Sequence, residues 1–298
     1  MSVSAPTEVG ITERTARMAL AAVARPYDPE VARLVAQHGP ADAWLELLRQ
    51  DCGTADRARH LDIDAVLVAG ERAGARFVIP GDDEWPAALE DLDAPHLAGP
   101  WAPIGLWLTG ESLLAVNEAV TITGARASTA YGENVAREMA AELAERGRSL
   151  VTTPAFGIPT AALRGALAAG GNTVVVMPGG IDVTYPRASE SLVAAAQQRG
   201  TLVAEQPPGT PPTRAGFLAS ARLQAALAQA TVVVEAASRS NAAWSATWTE
   251  NLGRRLFAVP GPVTSAVSYL PNHLIRDARA VLATSAHDVL TTTTTTEE

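Results

Sequence analysis

The sequence predicts an α/β protein built on a doubly wound, mostly parallel sheet, with a small helical unit in front of it. Three observations carry this. From residue 119 onward, short apolar runs recur at intervals of roughly 25–30 residues. Helix-length stretches fall between them, and Gly147, Gly170, Gly200 and Gly253 stand where helix C-terminal glycines belong. Continuous apolar strands alternating with helices require cover on both sheet faces, which is the parallel arrangement. Before residue 73, by contrast, Pro and Gly repeatedly interrupt short helical patterns.

In chain order, Thr15 to Ala24 reads as an amphipathic helix that Pro26 ends. Asp28 followed by Pro29 is an N-cap with proline at the first helical position. That helix runs to Gln37, and Gly39-Pro40 stops it. Asp42 to Arg49 follows, with Trp44, Leu45, Leu47 and Leu48 as its apolar set. Two short segments flank Asp62-Ile63-Asp64. Residues 1–72 therefore form a helical unit of the SAM or helix-hairpin-helix kind. Strands are expected at 76–79 and 104–108, joined by a proline- and tryptophan-bearing segment that wraps a core. The sheet strands proper are 119–123, 149–153, 173–177, 201–204, 231–235 and 255–259. Helices are expected at 130–146, 160–169, 187–199, 217–228 and 242–252. The sheet region spans 73–290, and 291–298 reads as a low-complexity, disordered tail.

Ligands of a doubly wound sheet bind beyond the carboxyl ends of its strands, so the loops there carry the functional information. The first is Thr121 to Thr129. A strand ends at Gly124 and a helix opens after Ser128-Thr129, with Arg126 projecting between them. Backbone N–H groups at a helix start and two hydroxyls suit an anion. A turn glycine beside a solvated arginine fits the pattern equally well. The sequence is neither G-x-G-x-x-G nor a Walker A loop, so no dinucleotide or triphosphate is indicated. In Pro178-Gly179-Gly180-Ile181-Asp182 the paired glycines allow close approach to a ligand. Asp182 suits a ribose hydroxyl or a helix cap, the cap being favoured. The rigid Pro207–Pro212 loop leads to Arg214 and Arg222. Arg239, Ser240 and Asn241 follow the next strand, and Asn272-His273 lies near the end.

Composition narrows the classes. The chain of 298 residues carries a net charge of −9, but unevenly. Residues 1–118 hold 9 Arg against 19 acidic residues, whereas 119–290 hold 14 Arg against 11, so the second part is net positive. All 23 basic residues are arginine, so any basic contact to phosphate is a guanidinium fork. The single cysteine, Cys52, excludes a disulfide framework and a cysteine zinc cluster. The five histidines share no metal-ligand spacing, and no metal or cofactor is expected. No nucleophile elbow, paired carboxylates or visible general base marks an enzyme. No apolar run reaches the ~18 residues of a membrane helix. Met1–Gly10 has no basic region followed by an apolar one, so no signal peptide and a cytoplasmic location are expected.

The loops taken together resemble the DNA-processing protein A family (DprA, also called Smf). The residues that carry this are Gly124-Ala125-Arg126 with Tyr131-Gly132, Gly157-Ile158, and Arg164-Gly165-Ala166-Leu167. They continue through Gly179-Gly180-Ile181-Asp182, Tyr185-Pro186, Glu205, Pro207 to Pro212, Val234-Glu235-Ala236, Arg239-Ser240, Gly253-Arg254 and Phe257 to Gly261. The series runs from about residue 12 to 282. The resemblance implies an extended Rossmann-like domain behind a SAM-like helical one. It also implies a homodimer that binds single-stranded DNA without sequence readout and helps load a RecA-type recombinase in natural transformation and recombination. The implied ssDNA- and phosphate-binding residues are Gly124, Ala125, Arg126, Ser128, Thr129, Gly157, Gly179, Gly180, Arg222, Arg239, Ser240 and Asn272. Two other functions are carried alongside. One is a scaffold with a degenerate pocket that acts through protein partners. The other is a nucleotide-binding, phosphoribohydrolase-like protein, which the missing Gly-Thr and glutamate of that motif disfavour.

The chain departs from the family pattern at several points. Thr153 stands where the family has glycine, Pro159 where it has aspartate and Leu163 where it has histidine. Ser220-Ala221-Arg222 replaces Arg-Asn-Arg, Asn241 replaces glycine, and Leu270-Pro271-Asn272 replaces Gly-Cys-Asn. The family's C-terminal winged helix has no expected counterpart. Phe156 and Trp244 are candidate base-stacking surfaces, with packing in a core or dimer the favoured role.

Overall fold

The computed structural model describes residues 11–293 except 27, 98 and 117. Five helices come first: α1 (Glu13–Val23), α2 (Pro29–His38), α3 (Pro40–Arg49), α4 (Gly53–Arg59) and α5 (Ile63–Arg72). Their starts are written in the sequence. The Thr12 hydroxyl accepts from Thr15 N, Asp28 from Glu30 N and Val31 N, and Asp62 from Ala65 N. Leu20, Val31, Trp44 and Leu47 bury one face of each of the first three helices in a shared core.

Nine strands form one sheet. They are β1 (Arg76–Val78), β2 (Leu106–Gly110), β3 (Val120–Thr123), β4 (Leu150–Thr152), β5 (Thr173–Val176), β6 (Thr201–Ala204), β7 (Ala230–Val233), β8 (Arg255–Ala258) and β9 (Val281–Leu282). Their spatial order is β1-β2-β6-β5-β4-β3-β7-β8-β9. The seven strands from β6 to β9 are parallel, while β2 runs antiparallel to both β1 and β6. The crossover helices are α6 (Ala130–Glu145), α7 (Ile158–Ala168), α8 (Glu190–Gln197), α9 (Arg214–Leu227) and α10 (Ala242–Asn251). The extended Rossmann-like, doubly wound architecture is therefore present. Two buried clusters line the two sheet faces, one around Ile122, Leu163, Val175 and Phe257, the other around Leu106, Val151, Val203 and Leu223.

The helical unit is fastened to the sheet. Arg14 donates to Phe77 O at 2.7 Å and to Asp82 at 2.6 and 2.8 Å, and Arg17 donates to Ile104 O at 3.0 Å. Met18 and Ala21 of α1 join the cluster that contains Phe77 and Trp107.

Three expectations need correcting. Gly200 does not end a helix in a left-handed turn; a Cβ there would lie 2.1 Å from Thr173 O, so the chain's own β5 demands the glycine. Helices α11 (Tyr269–Arg276) and α12 (Ala286–Thr293) and strand β9 follow β8 where the sequence reading names no element. Residues 291–293 complete α12 rather than opening a disordered tail, because Ala286 and Val289 pack into the sheet core. Residues 294–298 of that tail lie outside the described residues, as do Met1–Gly10.

Candidate nucleic-acid interface

Strand order reverses at β3. From β3 the chain winds to β4, β5 and β6, and α9 then carries it back to β7 on the other side of β3. The switch point is thus the crevice beyond the carboxyl ends of β3 and β7, where a doubly wound sheet takes its ligand. The first loop lies there, and both flanks pin it. Ala125 N donates to Glu235 O at 2.5 Å, and Ala125 O accepts from Ile158 N at 3.1 Å. Gly157 permits this second contact. Its φ is +73°, and a Cβ on it would meet Ala125 O at 2.2 Å.

This clamped loop turns Arg126 outward. Its guanidinium carbon lies 4.8 Å from the ring centroid of Phe217, in the first turn of α9. Tyr185 meets the same ring edge-on at 6.1 Å and is itself exposed. Arg214 opens α9 one turn before Phe217, and Arg239 sits exposed on the loop after β7. Arg126, Arg214 and Arg239 make no ion pair among the described residues, unlike the arginines of the helical unit at 14, 17, 49 and 59. Three guanidinium forks and an aromatic surface therefore frame one edge of the sheet.

Other candidate residues serve the chain itself. Thr129 caps α6 by accepting from Gly132 N at 3.2 Å. Its hydroxyl and N–H both go to the Glu235 carboxylate, at 2.6 and 2.9 Å, and Ser128 donates to Glu133 at 2.8 Å. The hydroxyls expected to receive a phosphate are thus committed to carboxylates. Gly179 and Gly180 are buried. Cβ atoms there would lie 2.6 Å from Thr210 O and from Pro207 O respectively, so they admit the proline loop and not a ligand. Asp182 does not cap a helix; it accepts from Gly209 N at 2.6 Å and holds that same loop.

Arg222 is the clearest correction. It is 3% exposed and lies on α9 beneath the sheet edge. It donates to both Glu205 oxygens at 2.5 and 2.7 Å, to Trp101 O at 2.7 Å and to Ala219 O at 3.0 Å. Its donors are turned to these internal acceptors and not to the crevice. Asn272 is spent likewise. Its amide accepts from Gly261 N at 3.1 Å and donates to Gly261 O at 2.9 Å, tying α11 to the turn after β8. Ser240 accepts from Ala242 N at 3.3 Å at the start of α10. Phe156 and Trp244, favoured as packed residues, are both exposed. The site residues that sequence reasoning passes over are Glu235, Phe217, Tyr185 and Arg214. Glu235, Tyr185 and Arg214 appear in the sequence only as motif letters or as neighbours of the proline loop.

Fold and site define an α/β protein whose switch point is edged by exposed arginines without an ion pair among the described residues, and whose α6 N-terminus holds one of the chain's own carboxylates. Comparison with known proteins identifies the family. Residues 76–294 match the family model described as DNA recombination-mediator protein A. A DprA-type DNA processing protein of Mycobacterium tuberculosis (strain H37Rv) is 41% identical over 284 residues, covering 91% of this chain and 72% of that one. The crystal structure of DNA processing protein A from Streptococcus pneumoniae superposes with a TM-score of 0.78 at 27% identity, over 95% of this chain and 98% of that one. The Helicobacter pylori DNA processing protein A, solved for its single-stranded DNA binding mode, shares the fold: TM-score 0.64, 24% identity, 74% of this chain and 96% of that one. The chain belongs to the DprA/Smf family, the DNA recombination-mediator protein A family. Among the described residues no helix is long and apolar enough to cross a membrane.

Proposed function

We propose that the protein holds single-stranded DNA across the carboxyl ends of β3 and β7 and acts as a recombination mediator that helps load a RecA-type recombinase. The observation that carries this is Arg126. It is exposed, without an ion pair among the described residues, and fixed at the switch point by a loop clamped on both sides. A guanidinium forks onto phosphate oxygens, and Phe217 and Tyr185 offer aromatic surface to bases. Arg214 and Arg239 extend the path. The role is one of binding and not catalysis, in the cytoplasm. The nucleotide-enzyme alternative is weakened because Gly179-Gly180 is filled by the proline loop. The protein works as a homodimer through the apolar face that Val263 forms with Tyr269 and Ile275 of α11.

Fluorescence anisotropy of a labelled ~20-nucleotide strand at ~50 and ~200 mM salt tests the DNA reading. Binding should weaken with salt, and Arg126→Ala should lower affinity about tenfold and reduce the salt slope by ~0.7. Absence of binding at low salt, or an unchanged Arg126→Ala, would refute it.

A further inference from the structure

Glu235 is 3% exposed, although it belongs to the loop that follows β7 at the mouth of the crevice. Its carboxylate is seated in the first turn of α6. Thr129 N donates to Oε2 at 2.9 Å and Thr129 Oγ1 to Oε1 at 2.6 Å. Gly132, in the same turn, has no side chain to obstruct it. A Cβ there would lie 2.4 Å from Oε2. Gly124 likewise leaves room for the backbone of Glu235, since a Cβ would meet Glu235 O at 2.6 Å. The N-terminus of the helix after the first strand is where a doubly wound sheet ordinarily seats a nucleotide phosphate. Here two glycines and a threonine are arranged around an internal anion instead.

We propose that Glu235 is a specificity-determining residue. Its carboxylate takes the place of a phosphate at the α6 N-terminus and repels a second anion from it. Free nucleotides and terminal phosphates are thereby rejected. A polynucleotide is still accepted, because its internal phosphates are gripped outside the cup, by Arg126 and its neighbours. A mononucleotide offers one phosphate and one base, and it loses the single strong anion seat of this fold. A strand spans several guanidinium groups and does not need that seat. The inference rests on the switch-point site proposed above.

The test uses the full chain with AMP and inorganic phosphate as probes, by isothermal titration calorimetry, on the natural protein, Glu235→Gln and Glu235→Asp. Glutamine keeps the shape without the charge, whereas aspartate keeps the charge. The natural protein and Glu235→Asp should show no saturable AMP binding at ~1 mM, and Glu235→Gln should gain affinity at least tenfold. On the labelled strand, the salt slope of Glu235→Gln should steepen by ~0.7, one additional phosphate. A purely structural role would not move that slope. AMP binding by the natural protein as tight as by Glu235→Gln would overturn the proposal. So would a folded Glu235→Gln that gains neither probe nor slope, or loss of the fold in Glu235→Gln, which would make the carboxylate a structural cap. If the natural protein failed to bind the strand, the interface reading would fall, while the AMP comparison would still judge Glu235.

Discussion

Replacing Arg222 with methionine separates the two roles open to that residue. In the structure its guanidinium serves Glu205, Trp101 O and Ala219 O from a position 3% exposed. Methionine preserves the aliphatic reach but strands the Glu205 carboxylate, whose side chain is only 15% exposed. It also leaves two carbonyls without these donors. Breaking one partner of a buried pair costs about 3–5 kcal/mol. In a chain of this size each kcal/mol shifts Tm by roughly 2–4 °C, so a fall on the order of 10 °C is expected. Removing both charges together, as Glu205→Leu with Arg222→Met, eliminates the stranded anion, and the double variant should recover much of the loss. Thermal melts at neutral pH read the stability, and strand anisotropy is measured on the same samples below Tm. Affinity should change less than twofold, against about tenfold for Arg126→Ala. An Arg222→Met protein that melts within ~2 °C of the natural one yet loses the strand would refute the reasoning, because Arg222 would then be a phosphate ligand after all.

Three further outcomes follow from single contacts. Gly132→Ala forces a Cβ within 2.4 Å of Glu235 Oε2, so it should destabilise by ~1–3 kcal/mol in urea melts. The two hydrogen bonds from Arg76 hold the Glu84 carboxyl below the usual glutamate range, with Leu113 N–H and Ser112 assisting. A lowered folded value means stabilisation that is full at neutral pH and is lost as pH falls through that value. The Tm gap between the natural protein and Glu84→Gln should therefore be present at pH ~7 and shrink as pH falls below the ordinary glutamate range, closing as it passes through the lowered folded value. Val263 is 93% exposed on the apolar face it forms with α11, so Val263→Asp should convert the proposed dimer to a monomer in sedimentation velocity without lowering Tm.

Local signals made most of the fold legible. The parallel strands are runs such as Val174-Val175-Val176 and Val232-Val233, apolar on both faces because helices cover both. Asp28-Pro29 and Thr129 announce their helices by capping chemistry. β9 left no such trace. Its two residues are a strand only because Phe257 and Ala258 of β8 lie beside them. α12 is threonine-rich, and its order comes from burying Ala286 and Val289 against the core. At the site, Arg126 was visible because a glycine and a helix start bracket it. Glu235 was not, since its partner Thr129 is 106 residues away. Arg222 was misjudged for the same reason. An arginine next to a proline loop looks like a ligand until Glu205 and Trp101 are seen to enclose it.

Burial also explains how the chain can depart from its family's pattern without touching the exposed arginines of the proposed interface. Leu163 is fully buried in the sheet core, and Thr153 and Pro159 are buried on either side of the same loop. Pro159 sits in the first turn of α7, where proline needs no N–H partner. Ser220 and Ala221 are buried on α9. Apart from Thr153, which puts a buried hydroxyl where the family pattern has glycine, these residues are apolar or smaller than the family's and lie inside the packing of α7 and α9. The residues that face solvent at the crevice are others: Arg126, Tyr185, Arg214 and Arg239. A change from histidine to leucine at position 163 fills the core with a branched aliphatic group and removes a titratable one. The first residue of α7, Ile158, donates its N–H to Ala125 O at 3.1 Å and so keeps Gly157 against that carbonyl. The packing of α7 and α9 thus carries the departures, while the exposed positive charge of the crevice is carried by Arg126, Arg214 and Arg239 outside it.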